Sequence, residues 1–223
     1  MAKCGDAACA TAPTITTVDT GGDVGRYTSI AIGIDGLPVV SYLDYTNGNL
    51  NVAKCGNPAC SAGTAIVTVD STGVVGEYSS IATGADGLPV IAYYDQTNGD
   101  LKVAKCADAA CSTSSSATVD TGGTANVGQY TSITIGADGL PVIAYYDLTN
   151  ADLKMAKCGN PACSAGNAVT TVDTGGTANV GQYTSITIGA DGLPVIAYYD
   201  LTNGDLKVAK CANSFCRPYF RRR

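Results

Sequence analysis

The sequence predicts an all-β fold, a β-propeller of four four-stranded antiparallel blades. Three observations carry that prediction. The string "DGLPV" recurs at 35–39, 86–90, 138–142 and 191–195, at offsets of 51, 52 and 53 residues. Each repeat holds four short runs rich in Val, Ile, Tyr and Thr, punctuated by Asp-Gly and Asn-Gly turns. No stretch shows a helical period. Four antiparallel strands in a unit of roughly fifty residues is the propeller-blade pattern. An open β-solenoid or a tandem of β-sandwiches is the runner-up.

The elements follow in order. The chain opens on a third strand, "AKC" at 2–4, and a fourth, "TITTVD" at 14–19. Three complete blades are expected at 27–70, 78–120 and 130–173, and three more strands at 183–211. The unit 78–120 shows the logic. "YSSIATG" (78–84) runs into the turn Ala85-Asp86-Gly87, and "LPVIAYYD" (88–95) runs into "QTNGD", where Asn98-Gly99 is a two-residue hairpin signal. "LKVAKC" (101–106) meets the loop "ADAAC", and "SSATVD" (115–120) meets the Gly-rich link "TGGTANVG". "PVIAYYD" is apolar on both alternating faces, which suits a strand covered on both sides by neighbouring blades. The stretches 118–150 and 171–203 are identical, the mark of a recent duplication.

The N-terminal fourth strand is expected to complete the last blade. That closes a ring by strand exchange between the termini and removes the sheet edges. Residues 1–4 then compete with 206–211 for one third-strand place, and a dimer sharing a larger ring is the alternative to a monomer. Residues 1–216 read as a single propeller domain, with units near 2–52, 53–103, 104–155 and 156–208 and a partial unit 209–216. The tail 217–223 matches no repeat and carries the one basic cluster.

Composition narrows the function classes. The net charge is −6, so a general basic field for nucleic acid is excluded. No run of 18 apolar residues exists to cross a membrane as a helix. His and Trp are absent, which removes the commonest general base and metal ligand. Glu77 is the one Glu among 19 acids.

The ten cysteines form five pairs of one spacing: Cys4/Cys9, Cys55/Cys60, Cys106/Cys111, Cys158/Cys163 and Cys211/Cys216. The intervening residues are turn formers, so each pair reads as a disulfide stapling the third-to-fourth strand hairpin. A zinc or iron–sulfur centre needs four ligands at one point, and each blade offers two. Disulfides imply an oxidising compartment, extracellular or cell-surface. No signal peptide is visible. Met155 stands just before "AKC", where Val52, Val103 and Val208 stand in other copies. Met1 therefore reads as an internal Met of a longer array whose signal peptide lies upstream.

Asp recurs in register. Asp44, Asp95, Asp147 and Asp200 end the second strands, and Asp19, Asp70, Asp120 and Asp173 end the fourth. Asp35, Asp86, Asp138 and Asp191 sit in the first turn. Beside Gly and Asn, they read first as turn caps. A ring of carboxylates holding a structural cation such as calcium is the other reading. Otherwise no cofactor is expected. Tyr27, Tyr78, Tyr130 and Tyr183 precede the first strands, and with Asp44, Asp95, Asp147 and Asp200 they form the candidate ligand-binding set. Rings to stack on and polar groups to fix hydroxyls suit a glycan. Packing between blades is the competing role for the rings.

The string "YTSIAIGIDGLPVVSYLDYTNGNLNVAK" resembles repeats of secreted bacterial and archaeal β-propeller proteins, distantly similar to sialidase-type Asp-box repeats. The resemblance spans residues 1–216 and implies blades. Such repeats often carry a Trp loop between third and fourth strands, where this chain has Cys-x4-Cys, and the Trp that ends an Asp-box is missing. Sialidase chemistry needs an Arg cluster, and outside the tail only Arg26 is present. Arg26 and Glu77 occupy equivalent places, filled by Gln129 and Gln182 in later copies. No residues stand out as a catalytic or metal set. The expected function is a non-enzymatic, secreted or cell-surface scaffold for a protein or glycan partner. The alternatives are a structural spacer of a larger adhesin-like protein and a degenerate sialidase- or glycosidase-like propeller.

Overall fold

A computed structural model describes residues 1–8 and 10–217. All of its regular structure is β. A short N-terminal pair, β1 (Ala2–Lys3) and β2 (Thr14–Ile15), is followed by three four-stranded meanders. Blade one is β3 (Val24–Ile32), β4 (Pro38–Asp44), β5 (Asn49–Lys54) and β6 (Ala65–Asp70). Blade two is β7 (Val75–Thr83), β8 (Pro89–Asp95), β9 (Asp100–Cys106) and β10 (Ser114–Asp120). Blade three is β11 (Val127–Ile135), β12 (Pro141–Asp147), β13 (Asp152–Lys157) and β14 (Ala168–Asp173). A three-stranded blade four, β15 (Val180–Ile188), β16 (Pro194–Asp200) and β17 (Asp205–Lys210), ends the array.

The turn chemistry acts locally. Asp86 Oδ1 accepts Leu88 N at 3.0 Å and Gly84 N donates to Leu88 O at 2.9 Å, closing the first hairpin. The second hairpin has a four-residue loop rather than the two-residue turn suggested by Asn-Gly. Asp95 pairs with Asp100 across it, because the Asp95 carboxylate captures Asn98 N at 3.1 Å and Asn98 Nδ2 at 2.9 Å. First strands start about a turn earlier than expected. They carry a bulge in which Tyr27, Tyr78, Tyr130 and Tyr183 sit at φ of 51–52°.

The core lies between blades. One cluster joins Val39, Leu50 and Val52 to Ile91, Tyr93 and Ala104; two more repeat the arrangement at the next junctions. Every residue of Pro89–Asp95 and Pro141–Asp147 is buried, as the two-faced apolar pattern requires. In β16 burial alternates, because no blade covers its far side. Contact is close enough to need glycine. A Cβ on Gly128 (φ +103°) would lie 2.8 Å from Leu101 Cα of the preceding blade. A Cβ on the equivalent Gly25 would meet nothing within 4 Å.

The expected four-bladed ring is not what forms. Among the described residues there are five sheets and none closes. The expected fourth strand for the last blade, β2, pairs instead with β1 (Ala2↔Ile15, Lys3↔Thr14). That partner is 11–13 positions away, whereas β17 lies at the far end of the chain, so local pairing wins the contest between 1–4 and 206–211. The edge of β17 stays open, with Leu206 80% and Val208 62% exposed.

Four predicted staples are present as disulfides: Cys55–Cys60, Cys106–Cys111, Cys158–Cys163 and Cys211–Cys216, with Cα separations of 4.6–4.8 Å. The fifth pair includes Cys9, and most of the Arg-rich tail is 218–223; both lie outside the described residues. Multiple disulfides suit an extracellular environment. No helix among the described residues is long and apolar enough to cross a membrane.

Candidate functional site

Second strands end and fourth strands end on the same face of the array, and most of the acid side chains gather there. Asp70, at the end of β6, reaches into blade two. Its Oδ1 accepts Thr72 N at 2.9 Å, the cap the sequence suggests. Its Oδ2 accepts the Tyr93 hydroxyl at 2.7 Å and Lys102 Nζ at 2.5 Å. Lys102 also lies 3.8 Å from Asp95 Oδ2. The same clasp is built from Asp120, Tyr145, Lys154 and Asp147, and again from Asp173, Tyr198, Lys207 and Asp200. Burial pushes Asp70, Asp120 and Asp173 up, but the bonds from lysine and tyrosine outweigh it and hold these carboxyls below their ordinary range. The lysines of this clasp were not singled out by sequence. Their signal is Leu-Lys-Val or Leu-Lys-Met in the third strand of every copy but the first.

The candidate ligand set divides in two. Asp44, Asp95, Asp147 and Asp200 are buried, and each carboxylate holds the Asn three residues on through N and Nδ2. They serve turns and clasps. The tyrosines form one continuous stack, Tyr27–Tyr78–Tyr130–Tyr183, with centroids 4.6, 4.6 and 4.5 Å apart. Burial, with Tyr27 and Tyr130 alongside, pushes the Tyr78 hydroxyl well up. Only the ends of the stack are open, Tyr27 at 40% and Tyr183 at 66% exposure.

Glu77 precedes Tyr78 in this stack and pairs in register with Tyr94. It is half-buried, and burial raises its pKa. Asp100 lies two strands away in the next register row, whose side chains point to the other face of the sheet, and it is raised by burial and by the charges of Asp95 and Asp120. A second feature is a groove of about 650 Å³ between β1–β2 and blade one, lined by Asp19, Tyr42, Thr28 and Ile30 among others.

No family model and no curated protein matches the sequence, so nothing at that level supports Asp-box repeats. Solved structures do match. The endo-arabinase of Bacteroides thetaiotaomicron aligns at TM-score 0.60 and 10% identity over 90% of this chain and 80% of that one. A family 43 β-1,3-galactosidase with galactodeoxynojirimycin aligns at 0.56 and 11% over 87% and 75%. The α-L-arabinofuranosidase of Clostridium thermocellum aligns at 0.53 and 12% over 82% and 67%. A second β-1,3-galactosidase is covered over only 42% of its length. These are five-bladed β-propeller glycosidases, and the likeness establishes a propeller-like all-β fold. It also corrects two expectations. A non-enzymatic scaffold and the absence of enzyme activity were expected; the solved structures reported above are glycoside hydrolases, and they overturn both expectations.

Proposed function

We propose that this chain is a glycosidase-type propeller that acts on glycans outside the cell. The carrying observation is Glu77, the one Glu of the chain, raised by burial in a repeat whose other copies hold Arg26, Gln129 and Gln182. A carboxyl with a raised pKa stays protonated long enough to act as a general acid. Glycoside hydrolysis needs that acid and a second carboxylate. In this reading Glu77 gives its proton to the leaving glycosidic oxygen. Water adds to the anomeric carbon and gives its proton to a second carboxylate across the sugar. The exposed ring of Tyr183 supplies an apolar face for a sugar. The shared fold with arabinose- and galactose-releasing enzymes supports this reading and suggests those sugars as first substrates.

The test is hydrolysis of arabino- and galacto-oligosaccharides beside p-nitrophenyl α-L-arabinofuranoside and β-D-galactoside. Glu77→Gln is expected to lose about 10²–10⁴-fold on the oligosaccharides, the usual worth of a general acid, and less on the aryl glycosides, whose leaving group needs no proton. No hydrolysis by the parent protein, or equal rates for Glu77→Gln, would overturn the proposal.

A further inference from the structure

Blade one breaks the clasp. In the other blades the residue opposite the clasp tyrosine is lysine: Tyr93↔Lys102, Tyr145↔Lys154, Tyr198↔Lys207. Its ammonium lies 2.5–2.6 Å from the fourth-strand Asp and 3.8–4.0 Å from the second-strand Asp. In blade one the residue opposite Tyr42 is Asn51. The rest of the arrangement is kept. Tyr42 donates to Asp19 Oδ2 at 2.6 Å, and Asp44 holds Asn47 as its counterparts do. The two carboxylates that elsewhere share an ammonium have none here.

A second observation is independent of the acids. Asn51 is 5% exposed, and its Oδ1 is buried with no hydrogen-bond partner. A buried carbonyl oxygen left unsatisfied costs stability unless something binds it. The amide also stops short of where lysine Nζ reaches, because its chain is shorter by two atoms before the polar end.

We propose that Asp19, Asp44 and Asn51 form a cation site, in which a hard divalent cation, calcium, takes the place of the lysine ammonium of the other blades. The donors are all oxygen: two carboxylates and the Asn51 amide oxygen, beside the Tyr42 hydroxyl that donates to Asp19. Calcium takes such ligands in flexible geometry and completes its shell with water. The groove lined by Asp19 and Tyr42 gives ion and water a way in. The site is independent of the glycosidase reading, and it would lock β2 to blade one as lysine locks the later junctions.

The experiment is calcium titration by calorimetry, with thermal melts in chelator-treated buffer before and after calcium. The parent protein is expected to give one saturable site and a higher melting midpoint with calcium. Asn51→Lys rebuilds the clasp from within; it is expected to bind no calcium at this site and to melt at one midpoint with or without it. Ala190→Lys adds the same charge on an exposed loop and is expected to titrate like the parent, which separates the site from general attraction to an acidic protein. Asp44→Asn removes a ligand and is expected to weaken binding by about tenfold or more. No saturable binding by the parent, or parent-like binding by Asn51→Lys or Asp44→Asn, would overturn the proposal.

Discussion

Tyr145 donates its hydroxyl proton to Asp120 Oδ2 at 2.6 Å, across the junction between blades two and three. Lys154 bonds the same oxygen at 2.6 Å, and Asp120 Oδ1 caps the turn through Gly122 N at 2.9 Å. One carboxylate thus ends a strand, fixes a turn and ties two sheets together. Tyr145→Phe is expected to lose about 1 kcal/mol, the net worth of one such bond. Asp120→Ala strands a half-buried lysine and a buried phenol and is expected to lose about 3 kcal/mol. In blade four the Lys207–Asp173 pair is 35% and 23% exposed, against 13% and 12% here. Tyr198→Phe is therefore expected to cost less than Tyr145→Phe. Urea unfolding of the three variants checks the order, and equal losses for both tyrosines would refute the burial argument.

Gly128 gives a sharper test of blade contact. Its φ of +103° is strained for any side chain, and a Cβ would meet Leu101 Cα at 2.8 Å. Backbone cannot swing away as a flexible side chain can. Gly128→Ala is expected to lose about 2–4 kcal/mol, from backbone strain and overpacking together. Gly123, at φ +68° with nothing within 4 Å, carries the conformational cost alone, and Gly123→Ala is expected to lose about 1 kcal/mol. Thermal melts of the two variants measure the difference. If they lose the same amount, the junction is looser than the contact implies.

Much of this was legible in the sequence because it is local. Asp-Gly turns, strand runs and Cys-x4-Cys staples each depend on a few adjacent residues, and they recur often enough to be read against one another. Features that depend on the neighbouring blade were not legible. Tyr78 at φ 52° looks like an ordinary strand residue in the text, so the bulge and the earlier strand start at Val75 went unseen. Asp70 reads as a turn cap, and its Oδ1 is one; its Oδ2 belongs to a tyrosine and a lysine in the next sheet. The pairing of β2 was misjudged for the same reason. Two edges of similar sequence competed for it, and only three-dimensional placement separates them. Glu77 was noticed as an odd residue, but its burial could not be read from its letter.

The staples should act blade by blade. Cys106 and Cys111 are each 1% exposed, and their link closes a short loop between β9 and β10. Chain entropy for a loop of that size gives about 2 kcal/mol. In a linear repeat such a loss is shared with nearest neighbours rather than with the whole array. Replacing both cysteines with Ala is expected to lower the melting midpoint and to speed amide exchange in blades two and three most. Uniform loss of protection from blade one to blade four would show that the array unfolds as one unit.

Acid stability brings the two kinds of carboxyl into opposition. Asp70, Asp120 and Asp173 are held below the ordinary range, because lysine and tyrosine bonds outweigh the upward push of burial. In the folded state they bind protons less readily than in the unfolded chain. Their contribution is full above the unfolded value, about 3.9, and is lost as pH falls through the folded values. Glu77, Asp100 and Asp152 are shifted the other way, first by burial and, for the two Asp residues, by neighbouring Asp charges as well. Folding favours their protonated forms, so stability rises as pH falls through their folded values. The rise stops at the unfolded values, about 3.9 for Asp and 4.3 for Glu. The sum is a maximum just above about pH 4, with a gentle slope on the neutral side and a steep fall on the acid side. Urea midpoints measured from neutral to acid pH trace the curve. Glu77→Gln is expected to flatten the neutral-side slope and leave the acid fall in place, whereas Asp120→Asn should soften the acid fall. A midpoint that declines steadily from neutral pH, with no maximum, would mean that the buried acids are solvated in solution and that Glu77 lacks the raised pKa its proposed role requires.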